Sequence, residues 1–203
     1  LLLIGIIGFG VYYFSKNNTN SSNPQPHRIS TETNIDNNSM NNNQSESKSA
    51  PQETDLSSFS TKILIDDDNR DTNLKITSSK INGTVVKAGE EFSFNEVVGN
   101  PTEDKGYKKA GAFGKNGKKI KTYGGGNCQV SSTLYNAVLE ADGLKVTERH
   151  QHEREVGYIE LGKDATIAYD YLDLKFKNNT GSDIKLYANV TEEKVEVRIV
   201  KLN

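Results

Sequence analysis

Among its 203 residues the chain has one cysteine, three histidines, no large excess of either charge, and no apolar run long enough to cross a bilayer. A single thiol, Cys128, excludes an internal disulfide framework, so in an oxidising compartment the sulfur is either free or engaged in chemistry. The formal net charge of −2, with acidic and basic residues interspersed, argues against a nucleic-acid partner, which would call for a basic face. The chain opens on fourteen uncharged, mostly apolar residues, Leu1 to Phe14, against the roughly 20 that a spanning helix needs. Without an initiator Met, they read as the C-terminal part of a membrane helix closed by Tyr12, Tyr13 and Lys16 at the interface, and the bulky Tyr-Tyr-Phe end offers no signal-peptide cleavage site.

From Ser15 to Ser58 the sequence is Asn, Ser, Thr and Gln with few aliphatic residues, too little apolar surface to offset the entropy of ordering it. This stretch is expected to be a disordered tether. Residues 59–203 have the length of one domain with a real core. Asp66 to Asp71 supplies N-caps and negative charge ahead of a helix over Thr72 to Ile81, which Asn82-Gly83 ends. Thr84 to Val86 and Glu91 to Asn95 read as short strands, and Gly99 to Tyr123, rich in Gly and Lys, as a long loop or irregular hairpin. Val130, Leu134, Ala137, Val138 and Ala141 recur at helical spacing over Gln129 to Ala141, placing Cys128, Ser132, Tyr135 and Leu139 on one stripe.

After Gly143 the pattern is strand-like: Leu144 to His150, Glu155 to Ile159, Ala165 to Tyr171, Leu174 to Lys177, Ile184 to Val190 and Val195 to Val200. The fold class expected is α+β, with helices packed on an antiparallel sheet and a C-terminal half that is mostly β.

Cys128 follows Gly124-Gly125-Gly126 and opens the second helix. Glycines permit a sharp turn and leave space above the sulfur, while N–H groups at a helix N-terminus favour thiolate over thiol. A thiolate nucleophile needs a base, and the base needs a group that fixes its tautomer. His27 lies in the tether, which leaves His150 and His152; extended backbone would put both on one face. Asp164, Asp170 and Asp173 are the carboxylates available to orient an imidazole. Two other readings stay open: solvated strand histidines, and a zinc site made of His150, His152 and Cys128. Arg149 and Arg154 either bind a substrate carboxylate or balance Glu148, Glu153 and Glu155.

The segments Asn82-Gly83-Thr84-Val85-Val86, Gly89-Glu90-Glu91-Phe92-Ser93-Phe94-Asn95, Val98-Gly99, Gly106-Tyr107, Gly124 to Ala137, Arg149-His150-Gln151-His152, Asp164-Ala165-Thr166 and Asp173 to Asn178 together resemble the VanW domain. The resemblance covers about residues 59 to 190. That family takes its name from a component of vancomycin-resistance clusters, and its members are commonly tethered at the surface of Gram-positive cells. The likeness implies L,D-transpeptidase-like cross-linking of peptidoglycan stem peptides through a cysteine acyl-enzyme, with no cofactor, on a domain held outside the cell by its membrane helix. The rival reading is a non-catalytic peptidoglycan-binding or envelope-assembly module, linked through the family name to glycopeptide resistance, in which Gly-Gly-Gly serves only a tight turn.

Carried over by motif, Cys128 is the nucleophile and His152, which ends the Arg-x-x-His, is the base, with Asp164 to orient it. Gly125, Gly126, Asn127, Gln129, Ser131, Ser132, Tyr135 and Arg149 are expected to meet the substrate. The family commonly has Ser after the histidine; here Glu153 puts a carboxylate beside the base, which would raise its pKa or reposition it.

Overall fold

The computed structural model describes residues 52–114 and 117–203. The apolar start at residues 1–14 and the tether as far as residue 51 lie outside the described residues. Among those described, no helix is long and apolar enough to cross a membrane.

The described chain is α+β, with antiparallel sheets, few helices and most of its strands in the C-terminal half. The main sheet has four strands, β1 (Glu53–Lys62), β2 (Val85–Val86), β8 (Ile184–Val190) and β9 (Lys194–Leu202), in the order β1-β9-β8-β2. β1 begins inside the stretch expected to be tether. It was illegible because it carries two large apolar residues, Leu56 and Phe59, at a spacing of three rather than two. A register shift between Asp55 and Ser57 explains the spacing: the bulge turns the strand so that both side chains pack against the core.

β1 is also joined by hydroxyls to the helix that covers it. Ser57 Oγ donates to the Ala137 carbonyl at 2.6 Å, and the Thr61 and Thr133 hydroxyls meet at 2.8 Å in a buried contact. A composition of Ser and Thr can therefore seat a strand here, because each buried hydroxyl finds a partner.

Two 14-residue helices cover this sheet, α1 (Asp68–Ile81) and α3 (Asn127–Glu140). Asp67 caps α1 by accepting from the N–H groups of Asn69 and Arg70, so the helix starts four residues before the expected Thr72. Leu74 and Ile81 from α1 join Val130, Leu134, Ala137 and Val138 from α3 and Leu186, Val197 and Ile199 from the sheet in one buried core.

A second sheet, in the order β3-β7-β6, joins β3 (Glu91–Ser93), β6 (Leu144–Glu148) and β7 (Lys175–Asn178). Phe92 and Phe176, directly opposite in its register, stack with ring centroids 4.9 Å apart. A five-residue helix, α2 (Phe94–Val98), follows β3 where the strand was expected to continue. The Gly- and Lys-rich stretch holds a regular hairpin, β4 (Lys109–Phe113) with β5 (Lys119–Tyr123).

Two expected strands are absent: Glu155 to Ile159 and Ala165 to Tyr171 form loops with two isolated bridges, His150 to Thr166 and Ala168 to Leu172. Between the two, and at the start of the second, the backbone of residues 162–165 is taken by side chains instead of a neighbouring strand. Arg149 donates to the carbonyls of Gly162 and Asp164, Asn136 to that of Lys163, and Ser131 to that of Ala165, while the Ala165 N–H donates to Ser132. Polar residues of α3 and a single arginine thus do the work of a ladder, and they fix a loop where the chemistry will lie.

Candidate functional site

The turn into α3 can be built only from residues without side chains. Gly126 caps the helix at φ 114°, in the left-handed region. A Cβ on Gly125 would stand 2.5 Å from the Ala110 carbonyl oxygen of β4, a backbone atom that cannot swing aside. Gly125→Ala is therefore expected to destabilise the fold by roughly 1–3 kcal/mol and to slow alkylation of Cys128, because α3 must back away from β4. Thermal denaturation and the rate with iodoacetamide check both effects.

Past this turn, Cys128 lies in the first turn of α3, partly exposed on the floor of a cleft of about 960 Å³. The hairpin β4–β5 forms one wall through Phe113, Ile120 and Tyr123; residues 151–158 form another through His152 and Tyr158, and residues 166–172 a third. The sulfur lies 3.8 Å from the Thr166 hydroxyl and 3.7 Å from the Ile167 carbonyl. The Cys128 N–H has no acceptor among the described residues.

His152 faces the sulfur from the opposite loop. Its ring Nδ1 and its backbone N–H both meet Asp164 Oδ2, each at 2.6 Å, so that Nε2 is the nitrogen left for Cys128. Asp164 is itself held: Arg149 donates to its Oδ1 at 3.1 Å and to its carbonyl at 2.6 Å. With the His152 and Asp164 side chains 8% and 4% exposed, the pair is screened little by water.

The electrostatics follow from this nesting. Burial pushes the Cys128 thiol up, but the nearby His152 imidazole, helped by Ile167 and Thr166, more than reverses that, and the net shift is downward. Burial likewise pushes the His152 imidazole down, while Cys128 and then Asp164 pull it up, for a net rise. The two shifts favour the same state, thiolate beside imidazolium. The charges that act on His152 are those of Cys128 and Asp164, and Glu153 lies exposed at the cleft edge.

His150 takes no part in this arrangement. Its Nε2 meets Glu148 Oε1 at 2.9 Å, outside the cleft, and its partner Glu148 is held down to about 2 by His150 first, then by Lys175 and the Asp173 N–H against a small opposing effect of burial. The trio of His150, His152 and Cys128 that a zinc site would need is therefore not assembled, and among the described residues no group of three His, Cys, Asp or Glu is placed to hold a metal. Asp173 is spoken for by Ser93 and the Asn95 N–H, and Asp170 sits in an exposed turn at φ 67°.

Of the eight residues expected to meet substrate, Gly126, Asn127 and Gln129 line the cleft, and Gly125, Ser131, Ser132, Tyr135 and Arg149 do not. Gly125 is packed on β4. Ser131 and Ser132 are committed to the Ala165 backbone, and the Arg149 guanidinium stacks 5.2 Å over the Tyr135 ring while it clasps Asp164. Within the cleft Gln129 is occupied at both ends: its Nε2 donates to Thr61 Oγ1 and to the Lys62 carbonyl, and its Oε1 accepts from Arg70 at 2.9 Å. Asn127 Oδ1 accepts from Thr77 at 2.8 Å, while its buried Nδ2 has no partner among the described residues.

Tyr158 and Arg70 were not anticipated. Burial, and next the charge of Cys128, push the Tyr158 phenol well up, so it stays protonated beside the sulfur. Nothing in the local sequence marks Arg70, which sits among aspartates like a surface residue; only the packing of α1 on α3 turns it inward.

A family profile described as "VanW like protein" matches residues 69–200. The chain belongs to the VanW family. Two VanW-family relatives resemble it. The "Uncharacterized protein YoaR" of Bacillus subtilis is 43% identical over 119 residues, which is 59% of this chain and 39% of that protein. The "Vancomycin B-type resistance protein VanW" of Enterococcus faecalis is 34% identical over 137 residues, 65% of this chain and 49% of that protein. The chain therefore spans less than half the length of either. No solved structure matches it.

Proposed function

We propose that this VanW-family chain is a cysteine acyltransferase of the L,D-transpeptidase kind, acting on peptidoglycan stem peptides at the outer surface of the cell. The observation that carries the reading is Cys128 and His152 lining one cleft, with Asp164 behind the imidazole at 2.6 Å from Nδ1 and opposed shifts of the thiol and the imidazole. Four further residues, Arg149, Ser131, Ser132 and Asn136, are spent on holding the aspartate loop still, a heavy investment for a surface without chemistry.

In this mechanism the Cys128 thiolate attacks the peptide carbonyl that joins an L-centre to a terminal D-residue. The oxyanion meets the Cys128 N–H at the start of α3. The carbon–nitrogen bond breaks as the His152 imidazolium gives its proton to the leaving amine, and a thioester remains on the sulfur. An amine of a neighbouring stem then attacks the thioester and loses a proton to His152, which restores the imidazolium; the new amide departs and the thiolate is regenerated. Asp164 keeps Nδ1 protonated throughout, so that one nitrogen alone handles the moving proton.

The expected membrane helix and tether would let such a domain reach wall strands above the lipid. The printed name of the Enterococcus faecalis relative, a vancomycin resistance protein, is compatible with work on the ends of wall precursors. Incubation of the full chain with tetrapeptide stems is expected to add one acyl mass to Cys128 with loss of the terminal D-residue, as read by peptide mass spectrometry. Cys128→Ala is expected to abolish both the adduct and the cross-linked product, and product formation undiminished in that variant would reject the mechanism.

A further inference from the structure

We propose that Arg70 is the carboxylate anchor of this cleft, so that the enzyme reads the free C-terminus of the residue it releases. This inference rests on the acyltransferase reading above and names the substrate class: peptides that end one residue beyond the scissile bond.

Arg70 is 8% exposed, yet no carboxylate pairs with it among the described residues. A mostly buried guanidinium without a counter-charge is costly, and a ligand carboxylate would offset that cost. Its single side-chain hydrogen bond among those residues is to an amide, Gln129 Oε1 at 2.9 Å, which uses one of five N–H groups and leaves the fork open for a bidentate carboxylate. Gln129 cannot turn away, because its Nε2 is tied to Thr61 and Lys62.

The location suits the task. Arg70 and Cys128 line the same cleft. The Arg70 stem packs where a Cβ on Gly126 would stand, 3.1 Å away, and its head reaches Gln129, so that the side chain brackets Cys128 from two residues before it to one residue after. Tyr158 lies within the electrostatic reach of both, raised by the Cys128 charge and lowered by that of Arg70. A terminal D-residue carries its carboxylate one carbon from the leaving nitrogen, a separation that a site beside the thiolate accommodates.

The test compares two small alkylating reagents that differ in charge. Free thiols such as N-acetylcysteine set the intrinsic ratio of rates for iodoacetate over iodoacetamide. In the wild-type chain this ratio at Cys128 is expected to exceed that of the free thiol by about tenfold, the worth of one charge-assisted hydrogen bond, and to fall to the free-thiol value in Arg70→Met. Arg70→Lys, which keeps the charge without the fork, is expected to retain part of the preference. A wild-type ratio equal to that of the free thiol overturns the proposal, and since this arm needs no substitution it holds even where a variant fails to fold. A ratio raised equally in wild type and in folded Arg70→Met also overturns it, since the anion is then held elsewhere.

A second arm compares acylation by a tetrapeptide stem with acylation by its C-terminal amide. The wild type is expected to prefer the acid by about tenfold, a preference absent in Arg70→Met. Equal acylation by acid and amide overturns the anchor while sparing the acyltransferase. Failure of every peptide to acylate Cys128 rejects the acyltransferase, while the haloacetate ratio still decides whether Arg70 holds an anion.

Discussion

In His152→Ala the pH midpoint for alkylation of Cys128 is expected to move from below the ordinary thiol range to above it. The sign follows from the balance at the sulfur. Burial is the largest single influence on Cys128 and acts to raise its pKa; the net fall comes from the nearby His152 imidazole, with smaller help from Ile167 and Thr166. Without the imidazole, the Thr166 hydroxyl and the Ile167 backbone are the aids that remain, and the direction reverses. In the wild type the thiolate is present from its lowered pKa upward, and the reactivity contributed by the imidazolium is lost only as pH climbs through the raised pKa of His152. Each unit by which the thiol rises removes about a tenfold share of thiolate, so that at pH 7 the rate with iodoacetamide is expected to fall by at least ~10-fold. A pH series with the neutral reagent reads the midpoint directly. His150→Ala is the matched comparison, and because that ring is bound to Glu148 outside the cleft, the midpoint should stay where it is.

Much of this arrangement was legible in the sequence where one local pattern determined the outcome. Val130, Leu134, Ala137 and Val138 announced α3 because its buried face is apolar at helical spacing, and Ile184 to Val190 and Val195 to Val200 announced β8 and β9 because their inward residues are aliphatic. The three glycines ahead of Cys128 pointed to a tight turn, and Gly124 and Gly126 do carry a positive φ that few other residues tolerate while Gly125 touches β4.

What stayed hidden depends on partners distant in the chain. β1 has no apolar alternation to reveal it, since Ser57 and Thr61 dock on Ala137 and Thr133 through hydroxyls. Residues 155–159 and 165–171 alternate like strands, yet the backbone of residues 162–165 between and beside them is claimed by Arg149, Ser131, Ser132 and Asn136, and no composition rule encodes such a clamp. The same clamp accounts for where Ser131, Ser132 and Arg149 are engaged: a polar stripe beside a nucleophile looks identical in sequence whether it faces a ligand or a loop. His150 and His152 were equivalent on paper because an extended segment would have aligned them; the loop that follows His150 separates them, giving one to Glu148 and the other to Asp164.

The heaviest loss of stability is expected from Asp164→Asn. The substituted group is the same shape and 3% exposed in the wild type, so that nothing but charge and hydrogen bonding changes. Oδ2 accepts both N–H groups of His152 and Oδ1 accepts from Arg149. An amide has a single accepting oxygen, so either the His152 donors or the Arg149 fork must face an NH2 group. Removal of one partner from a buried ionic contact of this kind costs about 3–5 kcal/mol, because the surviving charge is left without compensation. For a domain of this size that is a fall in melting temperature of roughly 10 °C, measurable by calorimetry.

The damage should also reach the sulfur. With Asp164 neutral, the imidazolium loses one of the two groups that hold it charged, and its Nδ1 proton is no longer fixed, so the alkylation midpoint of Cys128 is expected to rise, though by less than in His152→Ala. Arg149→Lys separates the two consequences. A lysine cannot serve the Gly162 and Asp164 carbonyls and the Asp164 carboxylate together, so the loop should loosen and the melting temperature fall, while the Asp164 charge next to His152 survives and the midpoint should barely move. A midpoint unchanged in Asp164→Asn, together with a melting temperature as high as that of the wild type, would show that the carboxylate neither supports the imidazole nor holds the loop.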